Sequence, residues 1–444
     1  GAQARGEVAV PPYGWPAVTV PGAPAGWRDL HARFGRLPFA DLFTDAIAYA
    51  ERGYPVSPQV ARGWRLAIER HATLTGPEFE EWGRVFASGG PPAPGERRRN
   101  PDAARALRLI AASGAEEFYH GEIARAIAEH SGRTGGFLTA ADLAAHTSTW
   151  VDPVAVGYRG HEVWELPPNG QGIAALLALG ILDGLDLSGA DPVERYHVRI
   201  EAMKLGFADA HAFVADPERV TVPTQELLHP AYLARRRAEI GATAADPPPG
   251  EPVKGGTVYL CTADADGMMV SLIQSNYVGF GSFVAVPGFG FGLQNRGAGF
   301  SLDPAHPNVL APGKRPFHTI IPGFLTRGGE PVGPFGVMGG HMQPQGHVQL
   351  MVRTLDEGLD PQAALAAPRW YWHTGRQVRL EPTLAAGEAG AALLAGLRER
   401  GHEAQVAGPG EASFGQGQAI WRLPDGAGYV AGTEPRGDGC AVGY

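Results

Sequence analysis

Apolar residues recur at helical spacing through Phe39-Ala40-Asp41-Leu42-Phe43-Thr44-Asp45-Ala46-Ile47-Ala48-Tyr49-Ala50, and Gly53-Tyr54-Pro55 closes the run. Residues 28–75 read as helical on this pattern, and residues 88–101 as a loop of Pro, Gly and Arg. Further helices are predicted over 102–114 and 117–130. The period then shortens to that of a strand over 155–166, followed by a turn at Pro167-Pro168-Asn169-Gly170 and a helix from Ile173 onward. A long helix is predicted over 193–214, where Glu201, Lys204 and Asp209 have the spacing of a solvated or ion-paired face.

Residues 240–254 are rich in Ala, Pro and Gly with little to bury, which predicts a mobile tail. From residue 257 strands dominate. Val258-Tyr259-Leu260-Cys261 and Met269-Val270-Ser271-Leu272-Ile273 flank Asp264-Ala265-Asp266-Gly267, so 257–277 reads as a β-hairpin. Helices are expected near 345–358, 361–366 and 389–401, and Tyr371-Trp372-His373 reads as packing. No internal repeat is found. Helices alternating with glycine-punctuated strands predict an α+β domain built in layers, without fixing how the layers stack.

With 444 residues and 44% apolar content the chain can bury a large core. Its net charge is -9, no basic stripe is found, and Arg97-Arg98-Arg99 lies in a Pro/Gly loop, so nucleic acid is not an expected partner. Cys261 and Cys440 read as separate thiols, with neither a disulfide framework nor metal-binding spacing. His306, His318, His341 and His347 fit no tight ligand motif, so neither a metal nor another cofactor is expected. No apolar run reaches the roughly 20 residues of a membrane span, and no signal peptide stands at the start. The expectation is a cytoplasmic protein without a membrane partner.

Gly255-Gly256-Thr257 carries the candidate chemistry. Taken alone, this triplet more often marks a turn entering a strand. It also has the form of a self-cleavage junction, with Gly256 and Thr257 as the autoprocessing residues. A threonine hydroxyl is a poor nucleophile, and a free α-amine on the same residue, with a reference pKa of roughly 8, supplies a nearby base. Glycines ahead of it remove side chains that would obstruct the strained turn of an N-to-O acyl shift.

Several downstream stretches share an order and spacing with this junction: Leu293-Gln294-Asn295-Arg296-Gly297-Ala298-Gly299-Phe300, Gly313-Lys314-Arg315-Pro316-Phe317-His318-Thr319, Gly336-Val337-Met338-Gly339-Gly340-His341-Met342-Gln343-Pro344-Gln345 and Glu434-Pro435-Arg436-Gly437-Asp438-Gly439-Cys440. Upstream, Glu117-Phe118-Tyr119-His120-Gly121, Gly135-Gly136-Phe137-Leu138-Thr139-Ala140-Ala141-Asp142-Leu143 and Tyr158-Arg159-Gly160 belong to the same set. Together they resemble the γ-glutamyltransferase family of N-terminal-nucleophile hydrolases across nearly the whole chain. The resemblance implies a four-layer αββα sandwich and one precursor cut into two subunits, residues 1–256 and 257–444, which partner each other; a homodimer is an allowed assembly. The chain begins at Gly1 without methionine, and Val20-Pro21-Gly22-Ala23-Pro24-Ala25-Gly26-Trp27 resembles a motif that follows the family's N-terminal segment, so the family's carboxylate-binding arginine is not assigned here.

The same resemblance gives Thr257 the role of nucleophile and base, Ser275 that of a hydroxyl bonded to it, and Gly339-Gly340 that of an oxyanion hole. Tyr277, Asn295, Arg296, His318 and Thr319 fall in the substrate pocket. Tyr277 stands where transpeptidases have an asparagine, Arg296 where they have a glutamine, and His318 and Thr319 where they have a serine pair. Gly299 replaces the aspartate that holds the substrate's α-ammonium. Arg296 favours an acidic or carbonyl-rich acyl group instead. Residues 301–312 are too short for the family's lid, which implies an open cleft and hydrolysis rather than transfer. The expected function is a self-processing threonine hydrolase, made as a zymogen, that cleaves an amide or acyl bond of a small non-γ-glutamyl substrate through an acyl-Thr257 intermediate. The alternatives are a biosynthetic homologue that acts on a natural-product intermediate (including carbon–carbon bond hydrolysis), a true γ-glutamyl hydrolase or transpeptidase, and a non-cleaving scaffold; Val258 and Tyr259 replace the family's usual hydroxyl and histidine after the nucleophile, which implies slow processing.

Overall fold

Residues 9–246, 256–408, 414–424 and 426–444 are described by the computed structural model of the chain, and they gather into two units. One takes in the chain up to Trp150 together with Asn276–Leu302; the other comprises Val151–Ser275 and Asp303–Tyr444.

The first unit is largely helical: α1 (Ala23–Phe34), α2 (Thr44–Arg52), α3 (Pro58–His71), α4 (Pro101–Ser113) and α5 (Glu122–Arg133). Local chemistry sets these ends. Ser57 and Asn100 cap α3 and α4 by accepting from the N–H groups of Val60 and Ala103, each with proline at the first helical position. The helix expected over 117–130 is broken at His120-Gly121, where the Glu117 carboxylate accepts from the Glu122 N–H at 2.6 Å and starts a new helix. Trp15, Ile110, Phe118, Ile123, Ile127 and Leu143 form the core with Val284, Val286, Phe289 and Leu293.

The second unit is built on a six-stranded sheet. Its strands are β1 (Val154–Tyr158), β2 (His161–Glu165), β5 (Gly323–Arg327), β6 (Glu330–Met338), β10 (Gln416–Arg422) and β11 (Tyr429–Thr433), numbered with β3 (Gly256–Ala263), β4 (Met269–Tyr277), β7 (Trp370–Thr374), β8 (Gln377–Leu380) and β9 (Glu403–Val406). The order is β11-β10-β6-β5-β2-β1, antiparallel at every pair. β3 and β4 pair as the expected hairpin, and β7, β8 and β9 form a third sheet. The Tyr259 ring of β3 lies over Gly336 of β6, where a Cβ would stand 2.5 Å from it.

Helices α6 (Gly172–Asp183), α7 (Pro192–Phe213), α8 (Met342–Leu355) and α9 (Gly387–Glu399) belong to this unit. α6 is buried from Gly172 to Leu182, which suits its unbroken run of small and apolar residues. Each unit joins sequence from both sides of residue 257, so neither coincides with the pieces 1–256 and 257–444.

Two expectations change. Glu201, Lys204 and Asp209 are buried rather than solvated, at 2%, 1% and 5% exposure, and Glu201 pairs with Lys204 at 2.7 Å. Of the tail expected to be mobile, residues 247–254 lie outside the described residues. Residues 241–245 are held: His197 Nε2 meets the Gly241 carbonyl, Lys204 donates to the Ala245 carbonyl, and the Ala245 N–H donates to Glu201. Among the described residues no helix is long and apolar enough to cross a membrane.

Candidate active site

Strand β3 alternates, so Thr257 and Tyr259 face inward while Val258 and Leu260 are exposed. Thr257 is buried, and its Oγ1 lies 2.8 Å from Ser275 Oγ on β4, a hydrogen bond that either hydroxyl can donate. Two residues along, the Tyr259 hydroxyl sits 2.9 Å from Ser271 Oγ, which in turn reaches the Phe335 carbonyl at 3.4 Å. Burial holds the Tyr259 phenol well above its usual value and pushes the Cys261 thiol up to about 11. Cys261 therefore stays protonated near neutral pH and offers no competing thiolate on this strand.

Gly339 and Gly340 form the turn between β6 and α8. Their φ angles are 137° and 61°, both in the region that side chains disfavour. A Cβ on Gly339 would meet Gly415 Cα at 3.1 Å and Met342 Cβ at 3.3 Å. The two carbonyls accept from the N–H groups of Met342 and Gln343 and so open the helix. The turn thus sits at the N-terminal, positive end of a 14-residue helix, where negative charge is favoured.

His318 and Thr319 are brought to this turn by a residue the sequence did not single out. Gln171 has no solvent exposure, and its Nε2 donates to the Thr319 carbonyl at 2.8 Å and to the Gly340 carbonyl at 2.9 Å. Its backbone N–H donates to the His318 carbonyl, the His318 N–H donates to the Asn169 carbonyl, and the Asn169 side chain holds the Pro316 carbonyl. A polar residue at the mouth of an all-apolar helix was the available signal. Another pair was not anticipated: Glu165 and His347, both fully buried, meet at 2.5 Å. The Val337 N–H donates to His347 Nε2, so Nδ1 carries the proton given to Glu165, and β6 is tied to α8 just before the glycine turn. Burial raises the Glu165 carboxyl, and His347 opposes that.

Tyr277, Asn295 and Arg296 form a group in the first unit. The Arg296 guanidinium lies 4.2 Å from the Tyr277 ring centroid. Burial pushes Arg296 down to about 10, so it remains a cation at neutral pH. Tyr277 has φ 74°, uncommon for a bulky side chain, where the chain leaves β4. Asn295 takes the place of a brace: it accepts from the Val278 N–H at 3.0 Å, donates to the Pro12 carbonyl at 2.7 Å, and has no solvent exposure.

His197, Glu201 and His402 bring one ligand atom each within 4.8 Å. The Lys204 ammonium already sits 2.7 Å from Glu201, and His197 Nδ1 meets His402 Nε2 at 2.9 Å while its Nε2 meets the Gly241 carbonyl. These hydrogen bonds and the Glu201–Lys204 ion pair occupy the ligand atoms of the set.

A family model described as γ-glutamyltranspeptidase matches residues 2–444. The chain is 38% identical over 445 residues to the glutathione hydrolase-like YwrD proenzyme of Bacillus subtilis (strain 168), covering 99% of this chain and 83% of that protein. It is 37% identical over 443 residues to the oxamate amidohydrolase proenzyme of Klebsiella pneumoniae, covering 96% and 81%. Among solved structures, the cephalosporin acylase from Bacillus halodurans superimposes with a TM-score of 0.92 at 50% identity, covering 98% of this chain and 80% of that one.

Proposed function

The chain belongs to the γ-glutamyltranspeptidase family and is an amidohydrolase of the acylase type, and from that premise we propose that it cuts itself between Gly256 and Thr257 and hydrolyses small amides through Thr257. The hydroxyl pair of Thr257 and Ser275 at 2.8 Å carries this reading. In the uncut chain, Thr257 Oγ attacks the Gly256 carbonyl carbon, the peptide C–N bond breaks, and the proton passes to the new amine. Water then hydrolyses the resulting ester. In the matured enzyme that amine accepts the hydroxyl proton as Oγ attacks a substrate amide, and returns it to the departing amine. Water releases the acyl group from Thr257. The N–H groups of the Gly339-Gly340 turn, at the start of α8, receive the developing oxyanion. Two pieces from one precursor, stacked as the four-layer αββα sandwich of N-terminal-nucleophile hydrolases, complete the reading.

Arg296 and the absence of an acidic side chain at Gly299 favour an acyl group bearing a carboxylate or a second carbonyl over a γ-glutamyl group with its α-ammonium. The test is a panel of oxamate, monoamides of short dicarboxylic acids and γ-glutamyl p-nitroanilide, followed by release of ammonia or amine. The expected order places an oxamate-type or dicarboxylic amide first. Fastest turnover of γ-glutamyl p-nitroanilide contradicts the substrate class.

A further inference from the structure

The glycine pair that forms the oxyanion turn is permissive by nature. Gly339 and Gly340 have no side chains to hold their positive φ angles, so the conformation has to be imposed from outside. Gln171 imposes it. The Gly340 carbonyl accepts from the Gln343 N–H at 3.2 Å and from Gln171 Nε2 at 2.9 Å, which uses both of its lone pairs and fixes its peptide plane. The second hydrogen of the same Nε2 goes to the Thr319 carbonyl at 2.8 Å. Both partners are carbonyl oxygens, so the amide must present its NH2 to them and its orientation is settled by chemistry. One buried amide therefore ties the glycine turn to the Thr319 backbone.

Gln171 precedes residue 257 and both of its carbonyl partners follow it. After cleavage the contact joins two separate polypeptides.

We propose that Gln171 is a positioning residue for amide hydrolysis: from the larger piece, it holds the oxyanion turn of the smaller piece in its working geometry. This rests on the function proposed above. It acts through Gly340 and Thr319, not on substrate, so its loss affects the transition state more than the ground state.

The test uses Gln171→Leu and Gln171→Glu in the full chain, on the panel amide that wild type hydrolyses fastest. For Gln171→Leu the expected result is completed self-cleavage, KM within about twofold of wild type, and kcat lower by about tenfold to a hundredfold. For Gln171→Glu only the protonated carboxyl can donate, and burial raises a carboxyl pKa. Its kcat relative to wild type at the same pH therefore rises as pH falls from about 8 to about 5.5. That ratio decides the matter if the leucine variant does not fold. Variants with kcat within twofold of wild type, a proportional change in KM, or a ratio flat with pH overturn the inference alone. A wild type silent on every amide defeats the proposed function and takes this inference with it.

Discussion

In the proposed reaction Thr257 becomes its own base only after its nitrogen has left Gly256, so at the residue scale one side chain serves two reactions. Ser275 touches its hydroxyl in the uncut chain at 2.8 Å. Ser275→Ala removes one hydrogen bond from a buried oxygen, and the expected result is self-cleavage slowed about tenfold, read from the time course of fragment appearance. An unchanged time course removes Ser275 from the chemistry. The contact between Thr257 and Ser275 was legible because motif spacing is a property of the sequence. The contacts of Asn295 with Val278 and Pro12 were not legible, because Pro12 lies far away in sequence. Gln171 was not legible: its two carbonyl partners lie 148 and 169 residues away, and no local pattern reports such a meeting.

Elements carry the next layer. The glycine turn lies where a strand ends and a helix begins, with backbone angles that only glycine adopts at little cost. Gly340→Ala at φ 61° costs roughly 1–2 kcal/mol of backbone strain, and displacement of one oxyanion donor lowers kcat about a hundredfold. Steady-state kinetics and thermal melting separate the two, and a kcat equal to wild type in a folded variant removes the oxyanion role. Strand and helix positions were largely readable: the hairpin 257–277 follows from alternation and its Asp-x-Asp-Gly turn, and α6 from its apolar run. Burial was less readable. On α7 the spacing of Glu201 and Lys204 gave the ion pair but not its depth, because the covering groups come from residues 241–245 and from His402, far away in sequence.

Over the whole molecule, each unit draws its core from both sides of residue 257. Val284, Val286, Phe289 and Leu293 close the first core, and residues such as Phe317, Phe335, Val348, Trp370 and Leu397 close the second over α6 and α7. The pieces of a cut chain share these cores. Charge burial also sets an acid limit. Burial, with the cations of Lys204 and Arg400 and the ring of His197 nearby, pushes His402 down to about 3. The unfolded imidazole takes its proton near pH 6.5, so the unfolded state binds more protons below that pH. The stability this residue contributes is complete above about pH 6.5 and is lost as pH falls toward 3. His402→Gln is expected to lose less melting temperature than wild type between about pH 7 and pH 4.5. Equal losses contradict that assignment.

Thr257 is central to the proposed reaction, and the most direct measurement is intact mass and denaturing electrophoresis of freshly purified wild type beside Thr257→Ala. Wild type should give two fragments, the smaller beginning at Thr257, while the alanine variant remains one chain. A wild type that stays whole, or an alanine variant that cuts at the same bond, contradicts the account.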